Sequence, residues 1–458
     1  MKTLVTNGTV VTATDILQAD ILAEDGRIAA MADGLPAEGC TVIDARGCLV
    51  LPGGVDVHTH LNLSVGGEKV SDGFYFGSMA AAFGGTTTIV EHPGFGPPGC
   101  SLNHQLNSYR QQAETEMVID YGLHAVIQHV DRAVLDAISL LPGQGISSLK
   151  VYLTYSGRLT DEEIITVLKT AQAAGVRVTF HAENHAIISS LTNKFRTMGD
   201  CSNPMLHPAS RPDYAEAEAV FRLIQLARAA GEVPIYIVHL STAAGLEIIR
   251  KARRQGSEIY AETCPQYLVL TEDCYKKPGD EGLQYILSPP LRRQEDCDAL
   301  WDGLGDDSID VVATDHCSFS RMQKVERGRT DIFAAPGGIP GVETRMPLLF
   351  SEGVVKKRID LNRFVRLTAT NPAKIMGLAP HKGDLAIGGD ADMIILDQRV
   401  KKTVSADALH QHVDYTPFAA MEIQGWPTTV LQRGQIVIKD EQLKIARGAG
   451  SFVQRKIQ

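Results

Sequence analysis

The chain has no run near the roughly 18 consecutive apolar residues that a membrane-crossing helix needs, so no membrane partner is expected. It also lacks any cluster of Lys and Arg able to track a phosphate backbone. Its 44 Lys+Arg are outnumbered by 54 Asp+Glu, for a net charge of −10, so nucleic acid is not an expected partner either. The eight cysteines (40, 48, 100, 201, 264, 274, 297 and 317) contain no C-x-x-C pair, and several lie within apolar, strand-like segments. That pattern argues against a disulfide framework and for a reduced, cytoplasmic protein. The beginning of the chain, Met1 to Gly8, enters β-branched alternation and a turn at once, without the basic and apolar regions of a secretory leader. Glycine and proline, 42 and 21 of 458 residues, are too few for low complexity. What remains is a chain with a large core, long enough for one large domain and a smaller one.

Residues 1–54 read as short strands: Thr3 to Val11, Ile16 to Ala23, Arg27 to Ala32, Cys40 to Ala45 and Gly47 to Leu51. Turn signals at Asn7-Gly8, Asp25-Gly26 and Pro52-Gly53-Gly54 punctuate them. The same texture returns at Gly383 to Ile387, Ala391 to Leu396, Thr428 to Leu431 and Gln435 to Lys439, so one β-domain built from residues 1–54 and 378–458, the latter ending in a C-terminal tail, is expected. Across residues 55–377 apolar strands alternate with helical patterns, the signature of a parallel sheet covered by helices. The expected strands are Val55 to His60, Thr86 to Val90, Ile119 to Ile127, Ser148 to Thr154, Arg177 to Ala182, Pro234 to Leu240, Glu258 to Thr263 and Asp310 to Thr314. The clearest helices span 71–83, 102–116, 161–174, 213–230, 243–254 and 296–304, with a capping box at Thr160 to Glu163 and a start signal at Ser241-Thr242. Eight such units in about 300 residues predict a (β/α)8 TIM barrel, whose active site sits at the C-terminal ends of the strands.

The histidines fall at those ends. His58 and His60 are two apart on one strand and so point to one face. His181 ends the fifth strand, His239 the sixth, and Asp315 the eighth. A barrel brings these five residues to one mouth, and four His with one Asp form a ligand set for two divalent metal ions, zinc or a similar ion such as manganese or cobalt. Lys150 ends the fourth strand between apolar neighbours, where an unpaired ammonium is costly to desolvate. Two divalent ions outweigh one carboxylate and a bridging hydroxide, so a third cation there would be repelled. A buried lysine is readily neutral, and a neutral amine can add CO2 to give an anionic carbamate that bridges both metals. Lys150 is therefore expected to be carboxylated.

Other histidines fit that set less well. His410 and His412 form a second H-x-H in the C-terminal β-region without a third ligand nearby in sequence, and His316 should point away from its neighbour Asp315. His92, His129 and His185 lie near the strand-to-helix loops and read as structural or supporting residues.

Several motifs together resemble the hydantoinase/dihydropyrimidinase family of cyclic amidohydrolases. They are Pro52 to His60, Lys150 to Tyr155, His181-Ala182-Glu183-Asn184, Glu262 to Tyr267, Ser288-Pro289-Pro290, Ala313 to Cys317 and Val413 to Phe418, which span almost the whole chain. Gly94-Phe95-Gly96-Pro97 and Gly99-Cys100 are most similar to the bacterial D-phenylhydantoinase branch. The resemblance implies a barrel with a β-sandwich formed from both termini and, as in relatives, a homotetramer. It implies that His58, His60 and Asp315 hold one metal, that His181 and His239 hold the second, and that carboxylated Lys150 bridges them. By the same resemblance Tyr155 stabilises the developing oxyanion, and the main chain at Ser288 and Gly337 recognises the cyclic imide. Relatives usually carry Asn in Pro-Asn-Gly, whereas this chain reads Pro336-Gly337-Gly338, which puts any side-chain contact there in doubt.

The chemistry implied is attack of a metal-activated water on a ring amide, with Asp315 as general base and then acid. A hydantoin would open to an N-carbamoyl amino acid, a dihydropyrimidine to its β-amino analogue. Dihydroorotases place Arg two residues after the second His, where this chain has Asn62. Allantoinases and dihydropyrimidinases remain alternatives, and a non-catalytic scaffold relative would have lost ligands that are all present here. Leu63, Val65, Phe95 and Leu159, on loops after strands one, two and four, are expected to line an apolar pocket suited to an aromatic 5-substituent.

Overall fold

The computed structural model describes residues 2–457. Near the termini, alternating β-branched and polar residues form two sheets that share stretches of chain. Asn7, at φ 61°, ends Lys2–Thr6, so the strand expected over Thr3 to Val11 is two strands. Lys2–Thr6 joins a four-stranded sheet and Thr9–Val11 a seven-stranded one. Ile16 to Ala23 divides in the same way into Ile16–Gln18 and Asp20–Glu24, one in each sheet. Crossing from sheet to sheet needs a sharp bend, and Asn tolerates the left-handed backbone that supplies it.

The seven-stranded sheet joins the two ends of the chain. Met393–Thr403 lies antiparallel to Leu49–Pro52 on one side and to Glu422–Gln432 on the other. Val5, Val10, Ile21, Val50, Met393, Ile395 and Leu431 pack together as a buried cluster of their own. Gly383 to Ile387 is a correction to the sequence reading, being irregular backbone with bends rather than a strand. Gly383 has φ +84°, and a Cβ there would lie 2.5 Å from the Ala369 carbonyl oxygen, so the chain must turn away.

The middle of the chain alternates parallel strands with helices. The first strand is Gly54–Thr59, the second Thr86–Glu91, and the third Asp120–Leu123 continued by Ala125–Val126 after a break at His124. Ser148–Tyr152, Arg177–His181, Ile235–Ile237, Ile259–Thr263 and Val311–Val312 are the fourth to eighth. Neighbours in sequence pair in parallel from first to eighth apart from the break in the third. The eighth also meets the first: Asp315 N donates to His58 O at 2.8 Å and His60 N to His316 O at 2.8 Å. Thr314 Oγ1 reinforces that seam with a 2.7 Å bond to Asp56 Oδ2.

Several helices start at side-chain caps. Thr160 and Glu163 form the expected capping box of Asp161–Ala174, and Thr242 accepts from Gly245 N to begin Ala243–Arg254. Helices outside the clearest sequence signals include Arg132–Leu140, capped by Asp131, His185–Met198, capped by Asn184, and Arg321–Gly328, capped by Ser320. Among the described residues no helix is long and apolar enough to cross a membrane, and all eight cysteines are free.

Candidate metal and active site

The C-terminal ends of the parallel strands hold every side chain singled out as a ligand. Alternation along the first strand sends His58 and His60 to one side, where Oδ1 of Asp315 lies 3.2 Å from Nε2 of each. From the fifth and sixth strands, Nδ1 of His181 lies 2.8 Å from Nε2 of His239. Lys150 Nζ sits between the groups, 3.4 Å from His58 Nε2. All but His60 and Asp315 are buried.

Buried carboxylates set two of the imidazole tautomers. Nδ1 of His58 lies 2.7 Å from Glu262 Oε1, and Nε2 of His181 lies 2.7 Å from Glu183 Oε2. A ring nitrogen that donates outward to a carboxylate turns an unprotonated nitrogen inward, as a ligand requires. Burial pushes the pKa of His58, His181 and His239 down, which keeps them neutral. Burial also pushes Lys150 down to about 8, while Asp315 and Glu262 favour its charged form from beyond ion-pair distance.

The inward nitrogens of this donor set meet one another and Asp315, with His181 Nδ1 2.8 Å from His239 Nε2 and the Nε2 atoms of His58 and His60 each 3.2 Å from Asp315 Oδ1. Nδ1 of His60, Nδ1 of His239 and both nitrogens of His92 are buried without a hydrogen-bond partner. Imidazole lone pairs, one carboxylate and a readily neutral lysine converging in one place suit divalent cations, so the residues present fit the metals their pattern implies.

His92, read from the sequence as structural or supporting, lies beside the candidate ligands. One ring nitrogen from each of His58, His60 and His92 lies within 4.8 Å of the others, and the His92 ring stacks on His124 with centroids 3.9 Å apart. His92 follows the second strand by one residue, as His60 follows the first, and that equivalence was the available signal. The other histidines are engaged elsewhere. His316 Nε2 pairs with Asp72 at 2.7 Å, His410 with Glu343 at 2.8 Å, and His129 with Asp131 at 3.6 Å. The His412 ring stacks on Phe76, and His185 lies in the pocket wall, 3.3 Å from Thr154 Oγ1.

The cluster lies in a cavity of about 800 Å³ whose wall includes Tyr155, Ser288 and Gly337. Tyr155, His239 and Asp315 have φ of 70°, 41° and 52°, a left-handed backbone that non-glycine residues adopt only when the surroundings enforce it. Burial pushes the Tyr155 hydroxyl up to about 12, so it is a donor at neutral pH. A Cβ built on Gly337 would meet only Ser288 Oγ, at 3.7 Å, so the space of the family's usual Asn side chain is open to the pocket.

Leu63, Val65 and Phe95 line the cavity as expected. Leu63 and Val65 are carried there by a short hairpin whose turn, Gly66-Gly67, has φ of 60° and 84°. Leu159 is a correction: its amide donates to Tyr152 O at 3.1 Å and its side chain is buried in the main core, outside the pocket wall. Asn62 likewise turns from the cavity to donate to Gln112 at 3.1 Å. Sequence reading missed Ile188, Ile332 and Phe333, which add apolar surface to the cavity lining.

Parallel strands flanked by helices, with a polyhistidine cluster at their C-terminal ends, describe a class of metal-assisted hydrolases. Residues 49–437 match the amidohydrolase family. The chain is 46% identical over 457 residues to D-phenylhydantoinase of Escherichia coli O1:K1, covering 100% of this chain and 98% of the relative. A dihydropyrimidinase from Brevibacillus agri NCHU1002 superposes with a TM-score of 0.97 at 41% identity, over 100% of this chain and 99% of that one. The L-hydantoinase (dihydropyrimidinase) of Arthrobacter aurescens superposes at 0.91 with 32% identity, over 99% of each chain. The chain belongs to the amidohydrolase family.

Proposed function

We propose that this protein, a hydrolase acting on cyclic amides, opens 5-substituted hydantoins to N-carbamoyl amino acids. It prefers an aromatic substituent and the D enantiomer, with slower turnover of dihydropyrimidines. The observation that carries the reading is Asp315 Oδ1 at 3.2 Å from Nε2 of both His58 and His60, on the wall of a cavity shared with Tyr155. In this reading residues 55–377 close as a (β/α)8 barrel, and residues 1–54 and 378–458 supply a β-sandwich and a C-terminal tail. The hydrogen bonds from the eighth strand to the first support the barrel, and the sheet shared by both ends supports the sandwich.

His58, His60 and Asp315 would hold one divalent ion, His181 and His239 the second, with zinc favoured and manganese or cobalt able to substitute. Lys150 would bridge the two as a carbamate, its neutral amine nitrogen bonding the carbon of CO2 and releasing a proton. Such ions supply polarisation of a carbonyl and a water of lowered pKa. Asp315 accepts the proton of the attacking water and returns it to the ring nitrogen as the C–N bond breaks. Tyr155 donates its hydroxyl to the carbonyl oxygen as charge develops there. Ser288 and the main chain at Gly337 hold the imide edge, and Leu63, Val65, Phe95 and Phe333 receive the 5-substituent.

A six-membered dihydropyrimidine as main substrate is the second reading, favoured by the similarity to a dihydropyrimidinase. Values of kcat/KM for 5-phenylhydantoin, hydantoin, dihydrouracil, allantoin and dihydroorotate separate the two. The phenyl compound is expected first, by a graded margin, because an apolar contact contributes only about 1–3 kcal/mol per group. Dihydrouracil in first place selects the second reading, and allantoin or dihydroorotate in first place rejects both.

A further inference from the structure

One arginine in the wall of the cavity has no part in the chemistry described so far. Arg211 follows the short helix Leu206–Ser210, and its side chain is only 13% exposed. Its Nη1 donates to Glu183 Oε2 at 2.5 Å, and that same oxygen receives Nε2 of His181 at 2.7 Å. On its other side the guanidinium carbon lies over the Tyr155 ring, 5.7 Å from its centre. The arginine is itself fixed from behind, since its carbonyl accepts Arg292 Nη1 at 2.5 Å and Arg292 Nε donates to Ser241 Oγ at 3.0 Å.

Tyr155 needs such a fixture. It stands just beyond the fourth strand in a left-handed conformation, which its own preferences would not maintain. A donor stabilises a developing oxyanion only when it is aimed before the reaction begins. A guanidinium is suited to aiming it, because its rigid planar fork can bind a carboxylate along one edge and present further N–H groups along another. Glu183 makes the buried cation tolerable, and an ammonium, a point charge on a flexible stem, could not span both partners in the same way.

We propose that Arg211 is a positioning residue. Anchored on Glu183, it holds the Tyr155 side chain so that its hydroxyl points at the oxygen of the ring carbonyl under attack. This rests on the reading of Tyr155 as oxyanion donor.

The test is a double-mutant cycle of Arg211→Gln with Tyr155→Phe, measuring kcat, KM and metal content of each purified enzyme. Arg211→Gln alone should lower kcat by about 10- to 100-fold, with KM changed less than about threefold and metal content unchanged. Added to Tyr155→Phe, it should cost less than about threefold more, because the group it positions is gone. Arg211→Lys, the milder variant should Gln impair folding, should recover only part of the activity. Losses that multiply in the double variant overturn the proposal. So does a loss of metal from Arg211→Gln, which would place its role with Glu183 and His181, or a rise in KM alone, which would mean direct substrate contact. Full activity of Tyr155→Phe would instead remove the reading on which the proposal rests.

Discussion

Nδ1 of His58 lies 2.7 Å from Oε1 of Glu262, a residue 204 positions further along the chain, and both side chains are buried. Glu262 also receives the Tyr236 hydroxyl at 2.7 Å and the backbone amide of His239 at 3.1 Å. One carboxyl group thus orients the ring of one candidate ligand and the backbone of another.

Glu262→Gln should therefore loosen the metal site without removing a ligand. Outer partners of ligating histidines typically contribute about 10- to 100-fold to metal affinity, and a loss of that size is expected in a chelator competition. Unchanged affinity would mean that His58 is oriented by packing alone.

Protein purified without chelators should carry two divalent ions per chain, because this donor set exceeds what one ion accommodates at ordinary coordination numbers. Lys150→Ala should lose both metal and turnover, and a short carboxylic acid in solution should partly restore them. Native mass spectrometry showing unmodified Lys150 in fully active, metal-loaded enzyme would contradict the carbamate.

Tyr155→Phe should retain its metals and lower kcat by about 10² to 10³, the scale for loss of one oxyanion donor. Steady-state kinetics on 5-phenylhydantoin, with metal analysis of the same sample, checks this.

Lys324 offers a test by pH. Its fully buried Nζ donates to Ile286 O at 2.7 Å and Pro336 O at 3.0 Å, so it ties together the segments that carry Ser288 and Gly337. Burial pushes its pKa down to about 7 from 10.5. Between those values the unfolded chain binds the proton more tightly than the folded one, so this residue makes stability rise as pH climbs through that window. Below about 7 both states are protonated and its contribution is level. In Lys324→Met that rise should be absent, and denaturant midpoints from pH 6 to 10 for the two proteins should diverge accordingly. Parallel curves would show that the lysine stays charged throughout.

The candidate ligands were legible because they depend on local rules. A period of two puts His58 and His60 on one face, and His181, His239 and Asp315 each fall at the end of a short apolar strand or within three residues after it. Lys150 was legible for the same reason, as a charge where the pattern requires an apolar residue. The divided terminal strands were not, because alternation continues across the bend at Asn7 while the partner sheet changes. Leu159 shows the same limit from another side, since an apolar loop residue can face a pocket or a core, and only the bond from its amide to Tyr152 decided for the core.

The sequence by itself determined which chemistry is available: the residue types, their spacing along each strand, and the number of strands that bring them forward. The tertiary structure alone decided which side chains meet. Glu262 behind His58, His92 beside His60, and Arg211 between Glu183 and Tyr155 are contacts between distant stretches of chain, and Phe333 and Leu63 are brought together only as walls of one cavity. Their existence depends on how helices and loops pack around the strands, and packing is a property of the whole volume to be filled rather than of any local pattern.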